Sequence, residues 1–253
     1  MQKIINFIKK YYVTILIYIG FILVYIFMSF DKEKQGFLFP DITKVIEVFV
    51  KEPDVMLLNL LNTFQLLIPS VVISAVIALS AGTIVGLNKN IRDVLYPVIY
   101  SISVVPSILM APFALLIAPT FRSASMFLVV YNTIWATLFA TINGIMTIDR
   151  RYLDCADTLE IKGFTRFSKI IMPAAMPSIM SGFVTSLRGS FVVLVYAEMY
   201  GAKYGLGYYV KKYSEYGMYE KSWAGFIFMV VVLVIVMQVF ERIKNRMLKW
   251  TID

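Results

Sequence analysis

MLLNLLNTFQLLIPSVVISAVIALSAGTIVGL, residues 56–87, carries no charged side chain. Where no water is present a chain must satisfy its own backbone N–H and C=O groups, so roughly 20 consecutive apolar residues cross a bilayer as a helix. As one helix this stretch extends about 48 Å, against a hydrocarbon core of about 30 Å. Pro69 is expected to kink it, and the part with Asn59, Asn62 and Gln65 to lie at the interface or against protein. Ser74, Ala78, Gly82 and Gly86 recur every four residues, a ladder of small side chains that lets two helix backbones approach closely. Packing within the subunit is the preferred reading of the ladder; a contact between subunits is the other.

Further uncharged stretches run over Tyr11–Phe30, Val94–Phe121, Ser123–Ile148, Ile170–Leu187 and Ser222–Phe240. Of 253 residues, 59% are hydrophobic and 16% charged, with a mean hydropathy of +0.76, well to the membrane side of a soluble domain. Apolar residues do not alternate with period two, which excludes a transmembrane barrel. The expected fold is an all-α membrane protein of about six transmembrane helices. Tyr11–Phe30 is too long for the apolar core of a signal peptide and lacks a small-residue cleavage site, so it reads as a retained anchor. Pro106 and Pro112 fall inside the third stretch, where they free backbone carbonyls; a broken helix beside a pathway and an ordinary packing kink both fit. Residues 1–55 read as an anchor and outer loop, with Phe37-Leu38-Phe39-Pro40 and an amphipathic run, Ile42–Val50, on the outer surface. Residues 56–241 read as one packed transmembrane domain and 242–253 as a basic cytoplasmic tail.

The chain has no histidine and one cysteine, Cys155, which excludes an internal disulfide, His-based catalysis and most transition-metal sites. No catalytic or metal-ligating residue is therefore assigned. Basic residues concentrate in Lys89–Arg92, Arg150–Lys169 and Arg242–Lys249, so the positive-inside rule puts both termini in the cytoplasm of a multi-pass cell-membrane protein. This bias accounts for the net charge of +8 without nucleic acid, and the basic C-terminal helix suits anionic lipid headgroups.

Between the fourth and fifth stretches lies the cytoplasmic segment DRRYLDCADTLEIKGFTRFSKIIMP, residues 149–173. Read as a helix, Tyr152, Cys155, Ala156 and Leu159 follow the i, i+3, i+4, i+7 pattern and form an apolar stripe. Asp154 and Asp157 disfavour an anionic membrane, so the stripe is expected to dock in a groove of another protein.

This segment resembles the EAA loop of ABC importer permeases: Glu-Ala-Ala, three residues, Gly, and later a hydrophobic residue and Pro. Asp154, Cys155 and Ala156 stand for Glu-Ala-Ala, Leu159 keeps the apolar position, and Met172-Pro173 match the ending. Pro173–Ile179, Leu187-Arg188, Val195–Tyr208 and the basic ending through Trp250 resemble the same family, in the branch importing nitrate, sulfonates, taurine and thiamine-pyrimidine precursors. An ungapped match puts Glu160 at the turn glycine, with Gly163 three residues later, which leaves the exact turn and docking register open. Ile117-Ala118-Pro119-Thr120 likewise replaces a Gly-containing turn.

The resemblance implies the type I ABC importer permease fold. It makes residues 150–166 a coupling helix docked on a cytoplasmic ATPase through Tyr152, Asp154, Cys155, Ala156, Leu159, Glu160, Gly163 and Arg166. It also implies two ATPase copies, a second permease subunit forming a homodimer, an external substrate-binding protein, and a small anionic or heterocyclic organic cargo. The chain has no Walker A loop, since no glycine precedes a lysine, so ATP and Mg belong to the partner and this chain binds no cofactor.

Intramembrane charges and polar groups are the candidates for the path or gate: Asn132, Trp135, Arg188 and Glu198. Arg188 is expected to bond carbonyls of a neighbouring span in preference to touching substrate. Glu198 lies about 15 Å further along a regular helix and is expected near the outer mouth, beside the turn Gly205-Leu206-Gly207. The alternative is a secondary transporter or channel subunit, for which neither a clear repeat nor a mid-span carboxylate speaks. A membrane-embedded enzyme lacks its nucleophile and acid–base groups.

Overall fold

The computed structural model describes residues 2–30 and 40–251, so the expected outer run Phe37–Phe39 lies outside the described residues. Among the described residues the chain is helical throughout, with no strand. The elements are α1 Gln2–Phe30, α2 Ile42–Lys51, α3 Pro53–Leu87, α4 Lys89–Ser103, α5 Ala111–Ile117, α6 Phe121–Met146, α7 Arg150–Thr158, α8 Gly163–Arg166, α9 Met172–Gly201, α10 Leu206–Glu215 and α11 Tyr219–Met247.

Among the described residues four helices are long and apolar enough to cross a membrane: Pro53–Leu87, Phe121–Met146, Gly163–Gly201 and Tyr219–Met247. The third uncharged stretch is a bent pair, Lys89–Ser103 and Ser107–Ile117, at 76°. The break falls at Val104–Pro106, where proline removes a donor and disfavours helical geometry in the residue before it. The first uncharged stretch, Tyr11–Phe30, lies in α1, whose apolar part Leu16–Ser29 is shorter than the others. Pro69 sits inside α3, which continues through it.

The chain forms two compact units. Residues up to Leu57 group with Tyr209–Phe228 around a shared core of Val45, Met56, Tyr209 and Ala224. Asp41 caps α2 by accepting from the Thr43 N–H at 2.9 Å and the Thr43 hydroxyl at 2.6 Å, bonds that hold its carboxyl below the usual range. The Tyr25 ring meets Trp223 at 5.2 Å, and the Ser29 hydroxyl donates to the Pro40 carbonyl at 2.7 Å. Burial pushes the Tyr209 hydroxyl up from its ordinary pKa.

The second unit, Leu58–Tyr208 with Met229–Asp253, holds the pairing of α6 with α9. Its small residues determine how closely the helices approach. A Cβ on Gly182 would overlap the Ala140 methyl group and stand 2.6 Å from the Ala136 carbonyl oxygen. The Ser178 hydroxyl donates to the Ala140 carbonyl at 2.9 Å, and the Ser186 hydroxyl lies 2.9 Å from that of Thr137. The small-residue ladder of α3 is also spent within the chain: Ser74 and Ala78 are buried, and a Cβ on Gly82 would stand 2.7 Å from the Thr141 Cβ. Arg92 donates to the Gly86 carbonyl at 2.9 Å, placing a cation at the carbonyl end of α3.

Candidate functional site

α7 begins where Asp149 accepts the Arg151 N–H at 3.0 Å. It ends in a two-bond cap, with the Glu160 N–H donating to the Asp157 carbonyl at 3.0 Å and the Ile161 N–H to the Ala156 carbonyl at 2.9 Å. That is the Schellman arrangement, which needs a left-handed residue at the position Glu160 occupies. Glu160 adopts it, with φ of 52°. The position matched to the family's turn glycine therefore makes the glycine-like turn, and Gly163, with φ of 60°, makes a second reversal into α8.

A left-handed non-glycine residue costs about 1–2 kcal/mol, partly offset by glycine's greater freedom when unfolded. Glu160→Gly is expected to stabilise this helix end by about 0.5–1 kcal/mol. Hydrogen exchange of the Glu160-position and Ile161 amides should slow about two- to fivefold. Unchanged or faster exchange would show that the turn is not strained.

The expected apolar stripe divides in two. Tyr152, Cys155 and Leu159 are exposed, whereas Ala156 is wholly buried within its own chain and so is no part of an exposed docking face. The reason is rotational: Ala156 lies on a side of α7 that the rest of the chain covers, and α7 packs against the turn Phe167–Ile171. Asp154, Glu160 and Gly163 are exposed. Arg166 is partly withdrawn by a two-bond ion pair with Asp157 that ties α8 to α7. Sequence reading missed Phe164, 78% exposed next to Gly163 and 6.1 Å ring to ring from Phe167. The signal was an aromatic residue directly after a left-handed glycine in a charged loop. Leu159, 63% exposed, and Phe164 are the most exposed large apolar groups of this loop, followed by Tyr152.

The loop is joined to α9 through a π-type turn, Phe167–Ile171, in which the Met172 N–H reaches back to the Phe167 carbonyl. Widening the helix there accommodates Pro173, which has no N–H to give. From α8 onward the helix thus runs without a break through the longest span, Gly163–Gly201.

The path candidates have different fates. Asn132 accepts the Ser107 hydroxyl at 3.3 Å, and its neighbour Tyr131 donates to the Ile102 carbonyl at 2.6 Å. Successive residues of α6 therefore hold the two sides of the break in the bent pair. Trp135 packs edge-on against Tyr131 at 5.3 Å, with its indole N–H buried and unpartnered. Arg188 does not bond backbone carbonyls as expected; it pairs with Glu241 of α11 at 3.4 Å, and Glu241 also holds Lys244 at 2.5 Å. A carboxylate 53 positions away in the chain was invisible to a local reading.

Glu198 is 2% exposed and accepts the Gly207 N–H at 2.8 Å, with Thr63 as a second hydrogen-bond partner. Thr63 accepts the Leu206 N–H and Asn59 the Gly205 N–H, each at 2.9 Å. Gly205 has φ of 122°, and a Cβ there would strike the Glu198 carboxyl group. Asn59, Thr63 and Glu198 together hold the turn into α10, so Glu198 is spent on positioning that turn.

Residues 74–249 match the sequence model of the family described as binding-protein-dependent transport system inner membrane component. SsuC of Bacillus subtilis (strain 168), a permease protein assigned to aliphatic sulfonates transport, is 28% identical over 178 residues, 70% of this chain and 64% of that protein. The bicarbonate transport system permease protein CmpB of Synechococcus elongatus is 24% identical, covering 64% and 57%. The nitrate import permease protein NrtB of Synechocystis sp. is 25% identical, covering 54% and 50%. The matched part of the chain thus spans between half and just under two thirds of these relatives. A structure of the MetNI methionine ABC transporter in inward-facing form aligns with a TM-score of 0.62 at 17% identity, over 80% of this chain and 99% of that one. A crystal structure of an amino acid ABC transporter with histidines aligns at 0.60 and 16%, over 79% and 95%. At such identities the likeness concerns the fold.

Proposed function

The chain belongs to the family of binding-protein-dependent transport system inner membrane components, and on that premise we propose that it is the membrane-spanning permease subunit of an ATP-driven ABC importer. The observation that carries the reading is the cytoplasmic loop at α7 and α8. It exposes Leu159 at the end of α7 and Phe164 in α8, two short helices that the Arg166–Asp157 ion pair ties together and a π-type turn joins to α9. Large apolar side chains held out on a rigid, mixed-charge loop suit a groove in a soluble partner. The partner is an ATPase in two copies, which supplies ATP and Mg chemistry; its opening and closing would bias two arrangements of the spans.

The remaining parts of the proposal follow the family. A second copy of the chain completes the path, a binding protein outside delivers cargo, and both termini lie in the cytoplasm, as the basic loops indicate. Residues 1–55 anchor the subunit and 56–241 form the transporting domain. The names of SsuC, CmpB and NrtB favour a small oxyanion as cargo. The test is uptake of nitrate, bicarbonate or an alkanesulfonate by proteoliposomes holding this chain with its ATPase. Uptake that needs ATP inside the ATPase-facing compartment is expected. Uptake at the same rate without ATP would instead indicate a secondary carrier or channel.

A further inference from the structure

Gln65 in the first half of α3, Arg122 at the start of α6 and Ala202 at the end of α9 border an open pocket of about 140 Å³. Two cations border it. Arg122 is the second residue of α6, whose first turn is closed by reciprocal bonds between Thr120 and Ser123. Lys203 follows α9 in the short linker to the Gly205 turn. The two are brought to the same pocket by close packing: a Cβ on Gly201 would collide with the Phe121 ring, so the residues just after each contact, Arg122 and Ala202-Lys203, flank one space.

Neither of these two cations is paired with a carboxylate among the described residues. Among the described residues, Arg122 and Lys203 form no ion pair, while Lys44, Lys51, Arg166, Arg188, Lys211, Lys221 and Lys244 each do. Arg122 gives one terminal nitrogen to the Gln65 carbonyl at 3.1 Å, which orients the guanidinium and leaves other donors for a ligand. The acid in the wall, Glu198, is already turned to Gly207 and Thr63. Asn62, Gln65 and Tyr204 add neutral polar groups to the lining. The start of a long helix contributes a further partial positive charge beside Arg122.

We propose that this pocket is a binding site for a small oxyanion, a sulfonate, nitrate or bicarbonate group, held between the Arg122 guanidinium and the Lys203 ammonium. A planar guanidinium donates two parallel bonds to such oxygens, and the lysine supplies a point charge. The proposal rests on the importer reading for its place in transport, as the site where cargo first meets the permease, yet its binding is measurable without the ATPase.

The test uses the full chain in phosphatidylcholine nanodiscs, titrated with methanesulfonate or nitrate at constant ionic strength, with chloride as control. A saturable rise in the unfolding midpoint is expected with either oxyanion and not with chloride. Arg122→Ala and Lys203→Ala should each raise the half-saturating concentration at least tenfold. Arg122→Lys, which keeps the charge and loses the fork, should fall between. Equal titrations for wild type and both alanine variants would overturn the site, as would an equal response to chloride. A phosphate of an anionic lipid has the same chemistry, so the titration is repeated with phosphatidylglycerol present. Stabilisation by that lipid with no response to free oxyanion would overturn the solute site. ATP-driven uptake that is normal in both alanine variants would reject the pocket's role while leaving the importer reading intact; absence of ATP-driven uptake in wild type with binding retained would do the reverse.

Discussion

Leu159→Asp is expected to abolish co-purification of the chain with its ATPase while leaving the chain itself folded. Leu159 is 63% exposed, so its removal costs the isolated subunit little. In a docked complex the same side chain would enter an apolar groove. Replacing it loses that burial and forces an unpaired carboxylate into the contact, a penalty of about 2–4 kcal/mol, or roughly 30- to 1,000-fold in affinity. Phe164→Asp should behave alike, because it belongs to the same exposed surface. The readout is the fraction of ATPase retained on the affinity-purified permease, alongside the unfolding midpoint of the permease alone. Full retention with both substitutions would remove the docking face and with it the main support for the importer reading.

Gly182→Leu should have the second large effect, this time on the fold. The pairing of α6 with α9 is the most extensive in the chain, and Gly182 lies where the helices approach most closely. The added Cβ would meet the Ala136 carbonyl oxygen, at 2.6 Å, and the Ala140 methyl, neither of which can swing away. Overpacking of this kind costs about 1–3 kcal/mol, and prying the helices apart also loosens the Ser178–Ala140 and Thr137–Ser186 bonds. Loss of monodisperse protein in detergent, or a much lower unfolding midpoint, is expected. Gly189→Ala provides the contrast: its new Cβ would face the Asn132 amide nitrogen, at 2.9 Å, the far end of a side chain that can yield. Comparable damage from both substitutions would mean that the α6–α9 approach is not the limiting contact.

The sequence by itself determined that the chain is a bundle of membrane helices and where the charged loop between two of them lies. Both follow from local signals: uncharged runs of membrane length, the distribution of lysine and arginine, and an amphipathic period in residues 152–159. It also flagged Glu160, because one residue type stood where a turn demands another. The backbone showed that the turn is made there regardless, at a strained φ of 52°.

Tertiary structure alone decided which side chains are available. Ala156 and Leu159 share a sequence period, yet one is buried under the chain and the other is open, since a period specifies a face and not what covers it. Arg188, inside the fifth span, and Glu198, expected near its outer end, both stood among the path candidates. Their roles came from partners far away in the chain: Glu241 in the last helix for the first, and Gly207 and Thr63 for the second. Arg122 and Lys203 drew no attention as isolated outer charges. They acquire a shared role through the packing of Phe121 on Gly201, a contact between helix ends 80 positions apart that no local pattern encodes.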